Sequence, residues 1–545
     1  VLGGAAITAV QGLVDQSLLS VREDPAGVRY RMLETVREYG RLRLAEAGEE
    51  REAAGALRRW AVGYAARHGG RMTGPDQFAA VDAMAAEETN LADELREALA
   101  DGDRGSLVRL LSALGLFWML RGDHPRLIVV ADAVAEALGD WRPEPDLADD
   151  ARSAVAVTLS NSMMIGARNA APLNAILRRL CQGDDGAQDD GAQDYSAPPV
   201  TGLIRVLLAY RMDDEEASER NLSRLAESED RDTALAATQW LIHLRENAGD
   251  PEGAQAAALR QLALTRSEDG PWSAAMAHVM LTDLAMHLGD DRETAERHAR
   301  AALPVMERLG ANDDELQLRS ALVMSAIATG RLAEAEDELI RLESVAQGRG
   351  PGDLGHFVHR IAGAELMLAR GQVAAGLRGH RDCAVRMRDL RIPGVDPEQM
   401  RPWSLAGDAM ALSAHAHYAT SADDLAAARE LLLACREHAR RIFDRPAAYF
   451  DVPASGLLLF ALGAWGLLRP SSRSSSQDGG PETSRDGGPE TALRLLALAD
   501  RFRYNRGVPT MAWDRIVPAA EKAAPGRLAC LQAEYKGREL AGLLT

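Results

Sequence analysis

Four glycines, Gly249, Gly289, Gly330 and Gly371, recur at intervals of 40, 41 and 41 residues. Each is followed by a short polar turn and a new helical pattern: GDPEGAQAAAL, GDDRETAERHA, GRLAEAEDEL and GQVAAGLRGH. Leu241, Leu281 and Leu322 sit eight residues ahead of the first three glycines, and Gly363 takes that place ahead of the fourth. A small residue, Ala254, Ala295 or Ala335, follows five or six positions after each of the first three. A glycine closing one apolar helix and a small residue early in the next describe an α-hairpin whose helices approach closely. A period near 40 residues therefore predicts stacked helix pairs, a solenoid. Gly115–Leu138 has the pattern of an earlier unit and Ala416–Ile442 that of a later one. The competing architecture is an irregular helical bundle.

Composition fits helices better than sheets. At 545 residues the chain is too long for one compact core, and its apolar content, 46%, comes with only 4% aromatics. Alanine and leucine supply most of it, which favours closely packed helices. Acidic residues outnumber basic ones 81 to 62, a net charge of −19. Such a surface repels phosphate backbones, so no direct DNA binding by this segment is expected. Lys522 and Lys536 are its two lysines. The four cysteines, Cys181, Cys383, Cys435 and Cys530, lie far apart without a C-x-x-C pair, so reduced, mostly buried thiols are expected. No signal peptide is visible, and the longest apolar run, Ala454–Leu468, is too short to span a bilayer. The expectation is a cytoplasmic protein with no membrane contact.

Two stretches predict disorder. DGAQDDGAQD (185–194) is a five-residue unit written twice, and DGGPETSRDGGPET (478–491) duplicates eight residues. Neither can bury enough apolar surface to offset its ordering entropy. The resulting division is a module over 1–50, a helical linker and first repeat over 51–140, and helices over 141–200 carrying a disordered acidic loop at 183–197. Repeats then span 201–470, a disordered linker 471–491 and a helical cap 492–545.

The motifs of catalysis are missing. No glycine-rich P-loop precedes either lysine, and no G-x-S-x-G or H-E-x-x-H occurs. GRGPG (348–352) follows a helical pattern rather than a strand and reads as a loop. His356 with His359, and His415 with His417, are the best-spaced metal candidates, but neither pair has an obvious third ligand; solvated or core histidines are the better reading. Adjacent carboxylates such as Glu87 and Glu88, or Asp423 and Asp424, are expected at helix starts as caps. No metal, no cofactor in this segment and no enzyme activity are expected.

The amino-terminal stretch LVDQSLLSVREDPAGVRYRMLETVREYGRLRLAEAGE (Leu13–Glu49) is more specific. LLSVRED and VRYRML flank Pro25, Ala26 and Gly27 as a β-hairpin. After it, Met32, Leu33, Val36, Tyr39, Gly40, Leu44 and Ala47 share one arc of an amphipathic helix expected to pack on something. Helix, hairpin, helix is the plan of a winged-helix domain, of which a remnant is present. The stretch resembles the winged-helix end of STAND-type signalling ATPases, closest to the large bacterial transcription regulators of the SARP and LuxR kinds. ETNLADELREALADGDRGSLVRLLSALGLFWMLRGD (Glu88–Asp123) resembles the helices that follow there. The ending, from TALRLLALADRFRYNRGVP to YKGRELAGLL, resembles the closing cap.

The resemblance implies an NB-ARC-like ATPase and a DNA-binding module upstream, with ATP or ADP bound by the former, and this segment as a sensor controlling both. Antibiotic or other secondary-metabolite genes would be the target. In that class a Met-His-Asp motif contacts bound ADP; here Met32, Leu33 and Glu34 stand at the nucleotide-sensor position. Leucine has no donor, so the usual latch cannot form. Glu34 could keep the acidic role; alternatively the position is core, with Leu33 on the apolar arc.

The fold expected is all-α, a tetratricopeptide-like (TPR-like) α-hairpin superhelix with a small amino-terminal winged-helix remnant. The resemblance to tetratricopeptide repeats, at a period longer than their usual one, also implies a concave effector groove. That family's register places Gln239, His243 and Glu246 in it from one repeat, with Ala236; Met276, Asp283 and Met286 from the next, with Val279. Gln317, Ser320 and Met324 come from the third, with Ile327. Methionines adapt their shape and Gln, His and Asp fix orientation, so a protein, peptide or small-molecule effector is expected there. Longer helices could shift the register and turn some of these into core. The rival to a switch is a constitutive scaffold whose repeats bind a partner protein.

Overall fold

A computed structural model describes residues 4–24, 27–164, 170–182, 201–212, 214–289, 291–347, 355–391, 395, 401–444, 452–469 and 488–538. The chain opens with helix α1 (Gly4–Asp15), strands β1 (Leu19–Asp24) and β2 (Gly27–Met32), and α2 (Glu34–Ala47). The strands pair antiparallel, with Leu19 opposite Met32 and Asp24 opposite Gly27. Only part of the apolar arc of α2 is covered. Met32, Val36, Gly40 and Leu44, spaced by four, are half-buried, whereas Tyr39 is 63% and Leu33 64% exposed. Leu33 is thus no core residue: it stands at the amino-terminal cap of α2, outside the stripe that meets the protein.

The remainder is all-α. It runs through α3 (Glu50–Gly69), α4 (Gln77–Ala100), α5 (Arg104–Leu120), α6 (His124–Leu138), α7 (Ala148–Met164), α8 (Ala170–Cys181), α9 (Thr201–Ala209) and α10 (Glu215–Ala226). Then come the periodic pairs: α11 (Arg231–Asn247) with α12 (Pro251–Leu264), α13 (Pro271–Leu288) with α14 (Arg292–Leu309), α15 (Asn312–Ala328) with α16 (Leu332–Ala346), and α17 (Gly355–Ala369) with α18 (Val373–Asp389). The series ends with α19 (Arg401–Tyr418), α20 (Ala422–Asp444), α21 (Val452–Leu468), α22 (Pro489–Phe502), α23 (Trp513–Ala523) and α24 (Arg527–Lys536). Consecutive helices pack as neighbours throughout, the arrangement of a helical-hairpin superhelix. No helix among the described residues is long and apolar enough to cross a membrane.

The period has a backbone cause. Gly249, Gly289, Gly330 and Gly371 all adopt left-handed φ values of 72° to 76°, ending the first helix of each pair. Asp250 and Asp291 then cap α12 and α14, accepting from the Gly253 and Thr294 amides at 2.9 Å. Ala254, Ala295 and Ala335 are at most 1% exposed, and in the fourth pair Gly376 fills the role. A Cβ on Gly376 would stand 2.6 Å from Leu368 Cγ, so α17 and α18 approach through it. Buried charge ties α15 to α16: Arg319, 6% exposed, binds Glu315 at 2.7 Å and also meets Glu338 and Glu307.

The superhelix bends back on itself. Helix α21 packs on α22 and α19 and also touches α11. From Arg503 the chain runs to the turn at Pro509–Met511 across the ends of the early repeats. Arg503 pairs with Glu252 at 2.7 Å, and Ser413 Oγ donates to the Thr510 carbonyl at 2.7 Å. A Cβ on Gly249 would meet Val452 Cγ1 at 2.5 Å, and one on Gly289 would meet Arg506 Cβ at 2.6 Å. At the other end, α4 docks on the second pair: Gln77 Oε1 accepts from the Trp272 amide of α13 at 2.8 Å, and Arg308 of α14 pairs with Asp82.

Two sequence expectations change. Pro489–Thr491, assigned to a linker, form the first turn of α22, and α22 pairs with α21, so the array continues into the presumed cap. Glu87 and Glu88 lie inside α4 rather than at its start. They work as ion-pair partners: Glu87 binds Arg29 at 2.9 Å, and Glu88 binds Arg126 at 3.0 Å and accepts from Trp118 Nε1 at 3.0 Å. The 183–197 loop, the linker over 471–487 and GRGPG lie outside the described residues.

Candidate functional site

The carboxyl-terminal halves of α11 and α13, most of the length of α15 and the start of α17 form one wall of a cavity of about 700 Å³. The facing wall comes from α19, the start of α21 and the 505–508 stretch. Closure is tight at one point: a Cβ on Gly507 would lie 2.2 Å from Met286 Cε, so this strap passes directly over the Met286 side chain. Met164 and Trp403, 42% and 45% exposed, are the exposed lining residues and mark the mouth.

Seven of the nine groove positions line this cavity: His243, Glu246, Asp283, Met286, Gln317, Ser320 and Met324. Gln239 and Met276 do not, nor do Ala236, Val279 and Ile327. The reason is packing. The amino-terminal halves of α11 and α13 are taken up by the helices that precede them, so Met276 packs against two cores and Val279 is 2% exposed. Ile327 belongs to the core beneath α15. Met32, Leu33 and Glu34 remain on the hairpin module, where exposed Glu34 pairs with Arg37 at 3.4 Å; none lines the cavity.

At one end of the cavity three titratable side chains converge. His287 Nδ1 lies 3.0 Å from Glu246 Oε1 and 3.9 Å from Asp283 Oδ2. Asp283 and His287 are one helical turn apart on α13, and Glu246 reaches them from the last turn of α11. Burial pushes the Glu246 carboxyl well above the usual range, with the adjacent Asp283 adding to the effect and His287 opposing it. His243, one turn before Glu246, is held neutral: burial pulls its pKa down to about 4, against the pull of Asp283. Further along, Asp313 lines the cavity, and Asp314 beside it is pushed up to about 7 by burial and by Asp313.

Among the described residues, Glu246, Asp283 and His287 are the one group of His, Cys, Asp and Glu spaced to hold a metal ion, their ligand atoms lying within 4.8 Å of one another. One imidazole and two carboxylates would give half of an octahedral shell. Of the histidine pairs named from sequence, His415 is held by neighbouring groups. His415 Nδ1 sits 2.7 Å from the Ala411 carbonyl and its Nε2 3.0 Å from Arg381, while burial pulls both His415 and His417 to about 4. The His356 side chain lies outside the described residues. Cys181, Cys383 and Cys435 are buried free thiols, their pKa values raised by burial.

The apolar lining is aromatic and soft. Tyr210 and Trp240 meet edge-on with centroids 5.6 Å apart, and Phe357 and Trp403 join the lining from later helices. Six of the chain's 17 methionines line the cavity, a concentration that gives its walls adjustable shape. Repeat register could find one wall only. His287 follows from Asp283 by the i, i+4 rule once the latter is chosen, but Trp403, Met410 and Val508 come from segments outside the period. No protein-family model matches the chain, and no curated protein matches it significantly.

Proposed function

We propose that this chain is the sensor region of a multidomain transcriptional activator, in which a small molecule held in the central cavity controls upstream ATPase and DNA-binding modules. The observation that carries this reading is the origin of the two walls. One comes from α11, α13 and α15, the other from α19, α21 and the 505–508 strap, segments roughly 80 to 260 residues apart. A ligand touching both ties the array into its closed form, so its contacts differ between closed and open arrangements. Such a difference is what a population shift requires. Moving an equilibrium from about 1:99 to 99:1 takes roughly 5.5 kcal/mol of differential binding. A cavity of about 700 Å³ lies within the range of sites that bury most of a drug-sized molecule.

The link to transcription rests on the resemblance of Leu13–Glu49 to the winged-helix end of STAND regulators. Its support is the order α1, β1, β2, α2 and the half-open face of α2, with Leu33 and Tyr39 exposed beside the covered stripe. In this reading that face meets the ATPase module, which binds ATP or ADP, and the protein works in the cytoplasm on secondary-metabolite genes. Sequencing the gene upstream of the Val1 codon tests the reading. A G-x-x-x-x-G-K-[ST] motif and a DNA-binding module in the same frame are expected. A start codon at or near Val1 would leave only a scaffold built on the same repeats.

A further inference from the structure

The charged lining of the cavity is mainly acidic. Glu246, Asp283 and Asp313 line it, whereas no Lys or Arg does among the described residues. His287 is the one basic group drawn to the Glu246–Asp283 pair, at 3.0 and 3.9 Å. His243, on the same wall, makes no hydrogen bond among the described residues and is kept neutral by its surroundings. An imidazole enveloped by protein and facing the cavity with both nitrogens unbonded leaves donor and acceptor capacity for something inside it. Two carboxylates that share a single imidazole, with no guanidinium or ammonium among the lining residues, favour a positive guest over an anion.

The rest of the cavity decides what kind of cation. Three donor atoms on one wall would suffice for part of a metal shell, but a bare ion would leave the Trp240, Met286, Met324 and Phe357 surfaces without a guest. Aromatic faces and methionines flanking an acidic pair suit a cation carrying an apolar body. Resting on the reading of the cavity as an effector site, we infer that it takes an amphipathic organic cation, its ammonium or amidinium head at Glu246 and Asp283 and its apolar body between Trp240 and Phe357.

Three probes of equal length separate charge from shape: phenylbutylammonium, phenylbutanol and phenylpentanoate. Each is titrated calorimetrically into the whole chain and into the Glu246→Gln, Asp283→Asn double variant. A charge-assisted contact gives the ammonium at least about a tenfold advantage in Kd over the alcohol, with the carboxylate weakest. The double variant should bring the ammonium to the level of the alcohol while leaving the affinity for the alcohol unchanged, which also shows that the variant folds. Asp313→Asn alone, further along the wall, should keep most of the advantage. Equal binding of ammonium and alcohol by the unmodified chain would overturn the inference, as would an advantage that survives the double variant. Zinc or manganese binding lost in the double variant, with no displacement by the ammonium, would replace it with a metal site. Binding of none of the three probes would overturn the effector reading itself; binding of the alcohol alone would leave that reading standing and remove only the charge.

Discussion

Replacing Gly289 and Gly330 by alanine, one at a time, separates the two roles of the periodic glycines. Both have left-handed φ, 72° and 76°, so each alanine is expected to lose about 1–2 kcal/mol from backbone strain alone. Around Gly330 a Cβ meets nothing within 4 Å. At Gly289 it would lie 2.6 Å from Arg506 Cβ and 3.3 Å from Arg506 Cδ. Arg506 has little room to give. Its guanidinium pairs with Asp500 and stacks 4.9 Å from the Trp513 ring, and the residue is 8% exposed. Overpacking of this kind adds roughly 1–3 kcal/mol. Urea unfolding should therefore show Gly289→Ala as the more destabilised by that margin. Hydrogen exchange should show faster opening of residues 503–511 in Gly289→Ala only. Equal losses and unchanged exchange would refute the docking of the strap on the repeat turns.

The other expectations follow from single sites. Arg319→Met leaves Glu315, 6% exposed, without its cation and Glu338, 8% exposed, with only the more exposed Arg341, and should cost about 3–5 kcal/mol by chemical denaturation. His243 is neutral in the fold, with a pKa of about 4 against 6.5 when unfolded, so its contribution is full above pH 6.5 and fades as pH falls toward 4. A shift of that size amounts to roughly 3 kcal/mol, which a His243→Gln variant should no longer show. Asp314 runs the other way: raised to about 7, its neutral form is favoured, so stability falls as pH rises through 7, and Asp314→Asn should be the more stable protein at pH 8. In the full-length regulator, Asp283→Ala and Gln317→Ala should alter induction or basal transcription with folding intact, whereas Gln239→Ala, off the cavity, should leave transcription at wild type.

The repeat architecture was legible because its signal is local. A left-handed cap needs glycine, close helices need a small residue, and both recur at fixed spacing around Gly249, Gly289 and Gly330. The same register found much of one wall, since His243, Asp283 and Met324 each stand six residues before the glycine that closes their helix. It overshot at Gln239 and Met276 because the preceding helices occupy the amino-terminal halves of α11 and α13, a tertiary contact with no sequence period. The facing wall was hidden for the same reason. Nothing local in Asn505 or Val508 says that they cross the cavity; Gly507 is needed there because Met286 leaves no space for a side chain. The apolar arc of α2 predicted burial, but periodicity gives a face and not its partner, and Leu33 and Tyr39 stay exposed.

The central claim, that this cavity is the effector site, is tested most directly by native mass spectrometry of the chain after exposure to a small-molecule extract of the producing cells. Wild type is compared with an Ala321→Trp, Ala406→Trp variant, which fills the cavity from both walls. The account predicts one small-molecule adduct on the wild-type chain and none on the filled variant at unchanged melting temperature. An adduct that persists on the filled variant would contradict it, and so would a wild-type chain that takes up nothing.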